Sequence, residues 1–303
     1  MESNTTNIPL VYVLPQWLEH TGVELAILRL DLTDPIVSGN KPFKLAGYVE
    51  LARQTDATTL ISLGGAHSNH LHALAALGTR MGLRTVGLVR GQPCETPTIR
   101  DLEAFGMELH WLGYGGYRAR HTADFWTPWQ ARYPDAVMIP EGGGGVLGAG
   151  GCGAILDLLD AGLNTLGWPT ADEIWLPVGT GTTLAGLVLA GASTVVGAVA
   201  VPDGYGVPEN IGAILAPRSP TGIAYRLANA SRRGFAKADE ALNIFMDEFE
   251  QSCGVPLEPI YTGKAMMALR DSVTNGEIVS GSRVVFIHTG GLQSRRGFRS
   301  RLP

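Results

Sequence analysis

The apolar positions fall in short unbroken runs rather than strict alternation. Thr59-Leu60-Ile61-Ser62-Leu63 is one such run, and residues 84–89, 107–112 and 136–139 are others in the first half of the chain. Residues 173–178, 194–201 and 283–288 read the same way in the second half. Runs of this length, bounded by glycine or polar residues, predict fully buried strands. Between them, apolar residues recur on one helical face over 68–81, 97–105, 146–159 and 183–190, and Leu45, Val49 and Leu51 continue the pattern after Phe43. Strands alternating with helices predict an α/β fold whose parallel sheets are covered on both faces. Residues 202–235 have no clean period and are expected to form loop and short helix over a cleft. No internal repeat or low-complexity segment is visible.

Composition narrows the class. Of 303 residues 45% are hydrophobic, enough to offset chain entropy in one large domain or two interleaved ones. The net charge of -5 argues against a general binder of nucleic-acid backbone. Cys94, Cys152 and Cys253 stand far apart and form no CxxC pair, so neither a disulfide framework nor a cysteine-rich zinc site is expected. The N-terminal decapeptide has no basic-then-apolar pattern, which makes the cytoplasm the expected location. The uncharged stretch 174–202 is long enough to span a membrane, but Pro177, Gly179 and Gly181 break it into strand, loop, helix and strand. The basic stretch 294–301 reads as a solvated tail or a subunit contact.

Candidate chemistry gathers in glycine-rich loops that follow strands. Ser38-Gly39-Asn40-Lys41 leads into Lys44, so one loop holds two of the four lysines. A lysine amine loses its proton readily when buried, which suits Schiff-base chemistry. Gly64-Gly65-Ala66-His67-Ser68-Asn69-His70 joins a strand to a helix that Ser68 or Asn69 can cap, leaving N–H groups free for an anion. His67, His70 and His72 lack the His-x-x-x-His spacing of a zinc helix, so no metal is expected. Gly179-Thr180-Gly181-Thr182-Thr183 offers N–H groups and hydroxyls at another helix start, a phosphate cradle. Leu184 stands where a dinucleotide fingerprint has glycine, and Asp203 lies at a ribose-contact distance in sequence, which leaves a nucleotide-binding oxidoreductase as an alternative. Tyr261-Thr262-Gly263-Lys264 and His288-Thr289-Gly290-Gly291 complete the set.

The order of these five segments, from about Asp34 to Gly291, resembles the D-cysteine desulfhydrase and 1-aminocyclopropane-1-carboxylate deaminase family of fold type II pyridoxal-phosphate enzymes. The resemblance implies pyridoxal 5'-phosphate as cofactor, a small amino acid as substrate, a homodimer, and no nucleic-acid or membrane partner. It implies that Lys41 bonds the cofactor, with Lys44 the second candidate. Asn69 would bond the pyridoxal hydroxyl oxygen, Gly179, Thr180, Gly181, Thr182 and Thr183 would hold the phosphate, and Thr289 would face the ring nitrogen. Ser68, with the N–H groups of Asn69 and His70, would hold the substrate carboxylate, and Tyr261 would lie over the cofactor beside the substrate. The implied architecture is a small domain, 44–143, inserted into a large one, 1–43 and 144–303, with the site between them. The expected reaction is β-elimination from a D-cysteine-like amino acid to a keto acid and ammonia. Cyclopropane-amino-acid deamination and a cofactor-binding protein without turnover are the other readings.

Several residues depart from the family pattern. The deaminases carry Glu where this chain has Thr262 and Leu where it has Thr289, which favours the desulfhydrase side. Phe235 falls where the family has a second active-site tyrosine, Gly144 where relatives often have Ser, and His67 where they often have Gln.

Overall fold

The computed structural model describes residues 8–218 and 225–299. The chain begins with strands β1 (Leu10–Val13) and β2 (Glu24–Leu28) and helix α1 (Lys41–Gln54). A run of strand and helix follows: β3 (Thr59–Gly64), α2 (Asn69–Met81), β4 (Arg84–Val89), α3 (Pro97–Ala104) and β5 (Glu108–Trp111). Two short helices, α4 (Gly113–Arg118) and α5 (Thr127–Arg132), precede β6 (Ala136–Met138). Then come α6 (Gly145–Cys152), α7 (Ala154–Leu166), β7 (Glu173–Val178), α8 (Thr182–Leu189), β8 (Val195–Val199) and α9 (Val207–Leu215). The chain closes with β9 (Tyr225–Asn229), α10 (Glu240–Cys253), α11 (Thr262–Thr274), β10 (Arg283–Ile287) and α12 (Arg296–Arg299).

The strands form two sheets. One has the order β5-β4-β3-β6 and is parallel throughout. The other has the order β1-β2-β10-β7-β8-β9. Its β1 runs antiparallel to β2, so the expectation of purely parallel sheets fails at this edge, where a short excursion returns the chain beside itself. Successive residues of the central strands enter opposite cores, as the pleat requires. Val285 and Ile287 join Leu176, Leu184 and Ile155 on one face, whereas Val284 and Phe286 join Trp175, Met266 and Phe249 on the other. Both faces being covered explains the unbroken apolar runs.

Three expectations are corrected. Residues 146–159 form two helices, α6 and α7, that meet at Gly153. Residues 202–235 include α9 and a true sheet strand, β9, paired in parallel with β8; residues 219–224 of that stretch lie outside the described residues. The basic C-terminal stretch is docked rather than solvated. Ser294 Oγ donates to Glu258, Arg295 pairs with Glu250 at 2.6 Å, and Arg296 pairs with Asp101. Ser300 and Arg301 lie outside the described residues.

Candidate active site

Ligand sites in open parallel sheets lie beyond the carboxyl ends of the strands, and the glycine loops all occupy that edge. Gly39 has φ +75, and a Cβ there would come within 1.9 Å of the Thr289 carbonyl oxygen. Only glycine lets the chain before α1 press against the chain after β10. Asn40 N–H then donates to that carbonyl at 3.2 Å, and Asn40 Nδ2 donates to Thr183 Oγ1 at 2.8 Å. One asparagine thus ties the ends of three segments together.

Lys41 opens α1, and its amine donates to Asn40 Oδ1. Burial pulls the amine down to about 7, with the Lys44 charge adding to the effect and Glu258 opposing it. Lys44, one turn on, is 6% exposed and donates to the Gly142 carbonyl at 3.0 Å and to Thr180 Oγ1 at 3.5 Å. Burial lowers its pKa as well. The two lysines therefore differ in setting: Lys44 reaches the Gly179–Thr183 loop, whereas Lys41 stays beside Asn40.

That loop turns at Gly181, φ +83, into the first turn of α8. Thr180 and Thr182 share a hydroxyl contact at 3.0 Å. A Cβ at Gly179 would meet the Tyr261 ring at 2.9 Å, so the loop passes directly under that ring. Hydroxyls, helix N–H groups and a nearby ammonium make a donor set suited to a dianionic phosphate.

Ser68 caps α2 by accepting from Leu71 N–H at 3.2 Å. Asn69 Oδ1 accepts from Gln293 Nε2 at 2.9 Å, and its amide lies against Gly291, where a Cβ would be 2.5 Å away. The expected carboxylate loop and the chain after β10 are therefore in contact. His70 turns its ring away from solvent. Ser62 Oγ donates to the Ile139 carbonyl at 2.9 Å and so accepts from His70 Nε2 at 2.8 Å. His70 Nδ1 is left a buried acceptor without a partner. Burial, then the charges of Lys44 and Lys41, hold the imidazole well below its usual pKa and neutral. The three histidines do not converge: His72 pairs with Asp101 at 3.1 Å, and His67 faces Phe298.

Tyr261 is half-buried, and burial raises its phenol pKa, with Glu258 adding to the effect. Its ring meets Phe235 edge-on at 5.9 Å, and Phe235 in turn lies 6.2 Å from Tyr205. Thr289 follows β10 and is buried beside His288, whose Nε2 donates to the Pro256 carbonyl at 2.8 Å.

Sequence reasoning left three contributors without a role. Glu258 is fully buried and accepts from the N–H groups of Ile260, Tyr261 and Thr262 at 2.7–2.8 Å, fixing the start of α11. Thr262 returns the contact by accepting from Glu258 N–H at 2.9 Å. Cys152 lies against Thr183 in the field of both lysines, its thiol pKa pushed up by burial. Asn40 sat inside the quoted motif, but its pairing with a residue 143 positions away leaves no local signal.

The site is thus a lysine beside a phosphate cradle, between two sheets, in an α/β protein. The chain belongs to the family described as pyridoxal-phosphate dependent enzymes, whose model matches residues 2–290. It is 28% identical to the D-cysteine desulfhydrase of Klebsiella pneumoniae (strain 342), over 93% of this chain and 91% of that protein. Among solved structures, an ACC deaminase homologue superposes with a TM-score of 0.83 at 24% identity, covering 97% of this chain and 92% of that one. A hydrogen sulfide-producing enzyme of Fusobacterium nucleatum gives 0.67 at 17% identity, covering 94% and 93%. The fold is that of the fold type II enzymes and the cofactor is pyridoxal 5'-phosphate. The residues fit that group: an amine neutral near pH 7 for its aldehyde, and a threonine-glycine cradle with a second lysine for its phosphate. Family membership removes the oxidoreductase reading, and Asp203 lies exposed in the turn after β8.

Proposed function

We propose that the enzyme catalyses β-elimination from a small amino acid, with D-cysteine the preferred type, releasing a keto acid and ammonia. The observation that carries this reading is the Lys41 amine, brought to about 7 by burial and by Lys44, and joined through the Asn40 side chain to Thr183 of the Gly179–Thr183 cradle. When bound, pyridoxal 5'-phosphate supplies an electron sink for the charge that develops at the substrate α-carbon. This chain's residues do the rest. Lys41 would hold the cofactor, and its free amine would take the proton from the substrate α-carbon. Lys44, Thr180, Thr182, Thr183 and the N–H groups of Gly179 and Gly181 bind the phosphate. Ser68 and the N–H groups of Asn69 and His70 orient the substrate carboxylate. Asn69 sets the tilt of the ring, and Tyr261 covers it and excludes water. Thr289, a neutral group, would face the ring nitrogen and could not hold a proton there as a carboxylate would, which would favour prompt loss of the β-substituent. The Thr262 hydroxyl is committed to Glu258 N–H, which favours elimination over cyclopropane opening, whereas Phe235 has no hydroxyl to offer either reaction and points to an amino acid other than the family's usual substrates.

We also place the domain boundaries at 43/44 and 143/144, since the four-stranded sheet falls wholly between them. The enzyme is proposed to be a cytoplasmic homodimer. The three free cysteines suit a reducing compartment, and sedimentation in buffer tests the dimer.

Borohydride treatment of the holoenzyme followed by peptide mass analysis tests the site. The cofactor mass is expected on the peptide carrying Lys41 and absent from Lys41→Ala; label on Lys44 instead would overturn the assignment. Keto-acid release is then compared for D-cysteine and 1-aminocyclopropane-1-carboxylate, and faster turnover of the second would overturn the proposed reaction.

A further inference from the structure

Lys264 is only 1% exposed and lies three residues after Tyr261, on the first turn of α11. Its ammonium donates to the Gly234 carbonyl at 2.6 Å and to the Ser231 carbonyl at 3.4 Å. A buried ammonium is tolerated only when its donors are satisfied, so these carbonyls and this lysine require one another. The segment it grips is strained. Arg232 has φ +48, Gly234 +113 and Ala236 +52, three left-handed residues within five. Such backbone persists where the surroundings over-determine it, and it clusters at sites whose geometry matters. The start of the segment is braced separately, Ser231 by the Asn229 side chain at 2.8–2.9 Å and Arg232 by Asp239 at 2.9–3.0 Å. Gly234 N–H turns back to the Ser231 carbonyl at 2.9 Å and Arg232 touches Met267 Sδ at 2.9 Å, while Lys264 is the side chain that takes the Gly234 carbonyl; the next residue, Phe235, is the one that meets Tyr261.

We propose that Lys264 is a positioning residue that pins the strained segment 231–236, so that Phe235 is held against Tyr261 as the wall limiting the size of the amino-acid side chain the site accepts. The size-limiting half rests on the proposed reaction, in which Tyr261 borders the substrate. Lys264 and Tyr261 stand one helical turn apart on α11, and that turn is itself anchored by Glu258. Anchor, ring and tether therefore share one rigid element, and the segment carrying Phe235 is registered against it. The aromatic wall excludes a bulky β-substituent and leaves room for a compact one such as a thiol.

Three measurements on the holoenzyme test this. In Lys264→Met, cutting by an arginine-specific protease after Arg232 and Arg233 should rise about tenfold or more, with cutting after Arg118 unchanged. The same variant should raise KM for a small substrate about fivefold while kcat stays within about twofold, and should narrow the preference for small over bulky amino acids. Phe235→Ala, which keeps the tether, should reproduce the kinetic change without the added cutting. If Lys264→Met does not fold, native acylation of the wild type decides the tether: Lys264 should label far more slowly than exposed Lys237. Unchanged cutting in a folded Lys264→Met, or equal labelling of the two lysines, would overturn the tether. Raised cutting with unaltered KM and selectivity would overturn the wall. A wild type that releases no keto acid from any amino acid would sink the proposed reaction, yet the cutting and labelling results would still decide the tether.

Discussion

In the proposed reaction Lys41 must be neutral to attack an aldehyde and must sit near a phosphate-binding cation, two demands that one environment meets. Burial is the larger cause of its pKa near 7, and the Lys44 charge is the second. Recombination of the apoenzyme with pyridoxal 5'-phosphate should therefore accelerate as pH rises through about 7 and level off above it. Lys44→Met removes the neighbouring charge, so the midpoint should move upward while cofactor affinity falls through loss of a phosphate contact. Stopped-flow absorbance reads both, and a midpoint that stays in place would show that Lys44 does not act on Lys41. The same shift has a stability consequence. An unfolded lysine keeps its proton to about 10.5, whereas Lys41 in the folded chain loses it near 7. Between those values the denatured state binds more protons, so this group makes apoenzyme stability rise with pH across that window.

At the scale of elements, α11 shows how a helix start is made into part of a site. Its first N–H group, that of Thr262, and those of Ile260 and Tyr261 just before it converge on the Glu258 carboxylate, which also accepts from Ser294 Oγ at 3.1 Å. Glu258→Gln places an amide NH2 among donors that need acceptors, and should cost about 1–3 kcal/mol. Thermal melting reads the loss, and a weaker cofactor signal should accompany it because Tyr261 loses its anchor; an unchanged melting temperature would show that the carboxylate is dispensable. The strands most legible in the chain were those buried on both faces: the runs 84–89 and 173–178 coincide with β4 and β7 because continuous apolar sequence has no other place to go. β1, β2 and β9 went unassigned. β9, Tyr-Arg-Leu-Ala-Asn, is a half-buried edge strand whose state is decided by pairing with β8 rather than by its own pattern. The break between α6 and α7 was hidden for a related reason. The glycines of α6 serve close approach, with a Cβ at Gly148 or Gly151 falling 2.0 Å from the carbonyl oxygens of Gly143 or Phe43. The loops of the site were visible as glycine clusters after apolar runs, whereas Lys264 and Asn40 act through distant contacts that no local spacing announces.

At the scale of the whole molecule, the candidate site draws loops from both sheets, and an ion pair ties the chain entering α1 to α2. Asp34, in the chain leading to Lys41, accepts a two-pronged bond from Arg80 on α2 at 2.7 and 2.9 Å. The Arg80 bond, helped by the N–H groups of Ile36 and Val37 and opposed by partial burial, holds the Asp34 carboxyl at about 2. An unfolded aspartate titrates near 3.8, so the unfolded state takes up a proton first as pH falls. The contribution is present in full above about pH 4 and is lost as pH drops from there through about 2. Both partners are partly exposed, so solvent screening keeps the pair's worth to about 1 kcal/mol or less. Asp34→Asn should consequently lower stability slightly at neutral pH and flatten the acid limb of the stability profile between about pH 4 and 2. Because the pair ties the segment leading to Lys41 to the end of α2, the variant should also weaken cofactor retention more than breaking the exposed pair of Arg100 with Glu95 does. Urea melts across pH and equilibrium dialysis of the cofactor measure the two effects. An acid limb as steep as the wild type's would show that Asp34 is not the group that titrates there, and retention equal to that of an Arg100→Gln control would show that the pair does not help to hold the segment leading to Lys41.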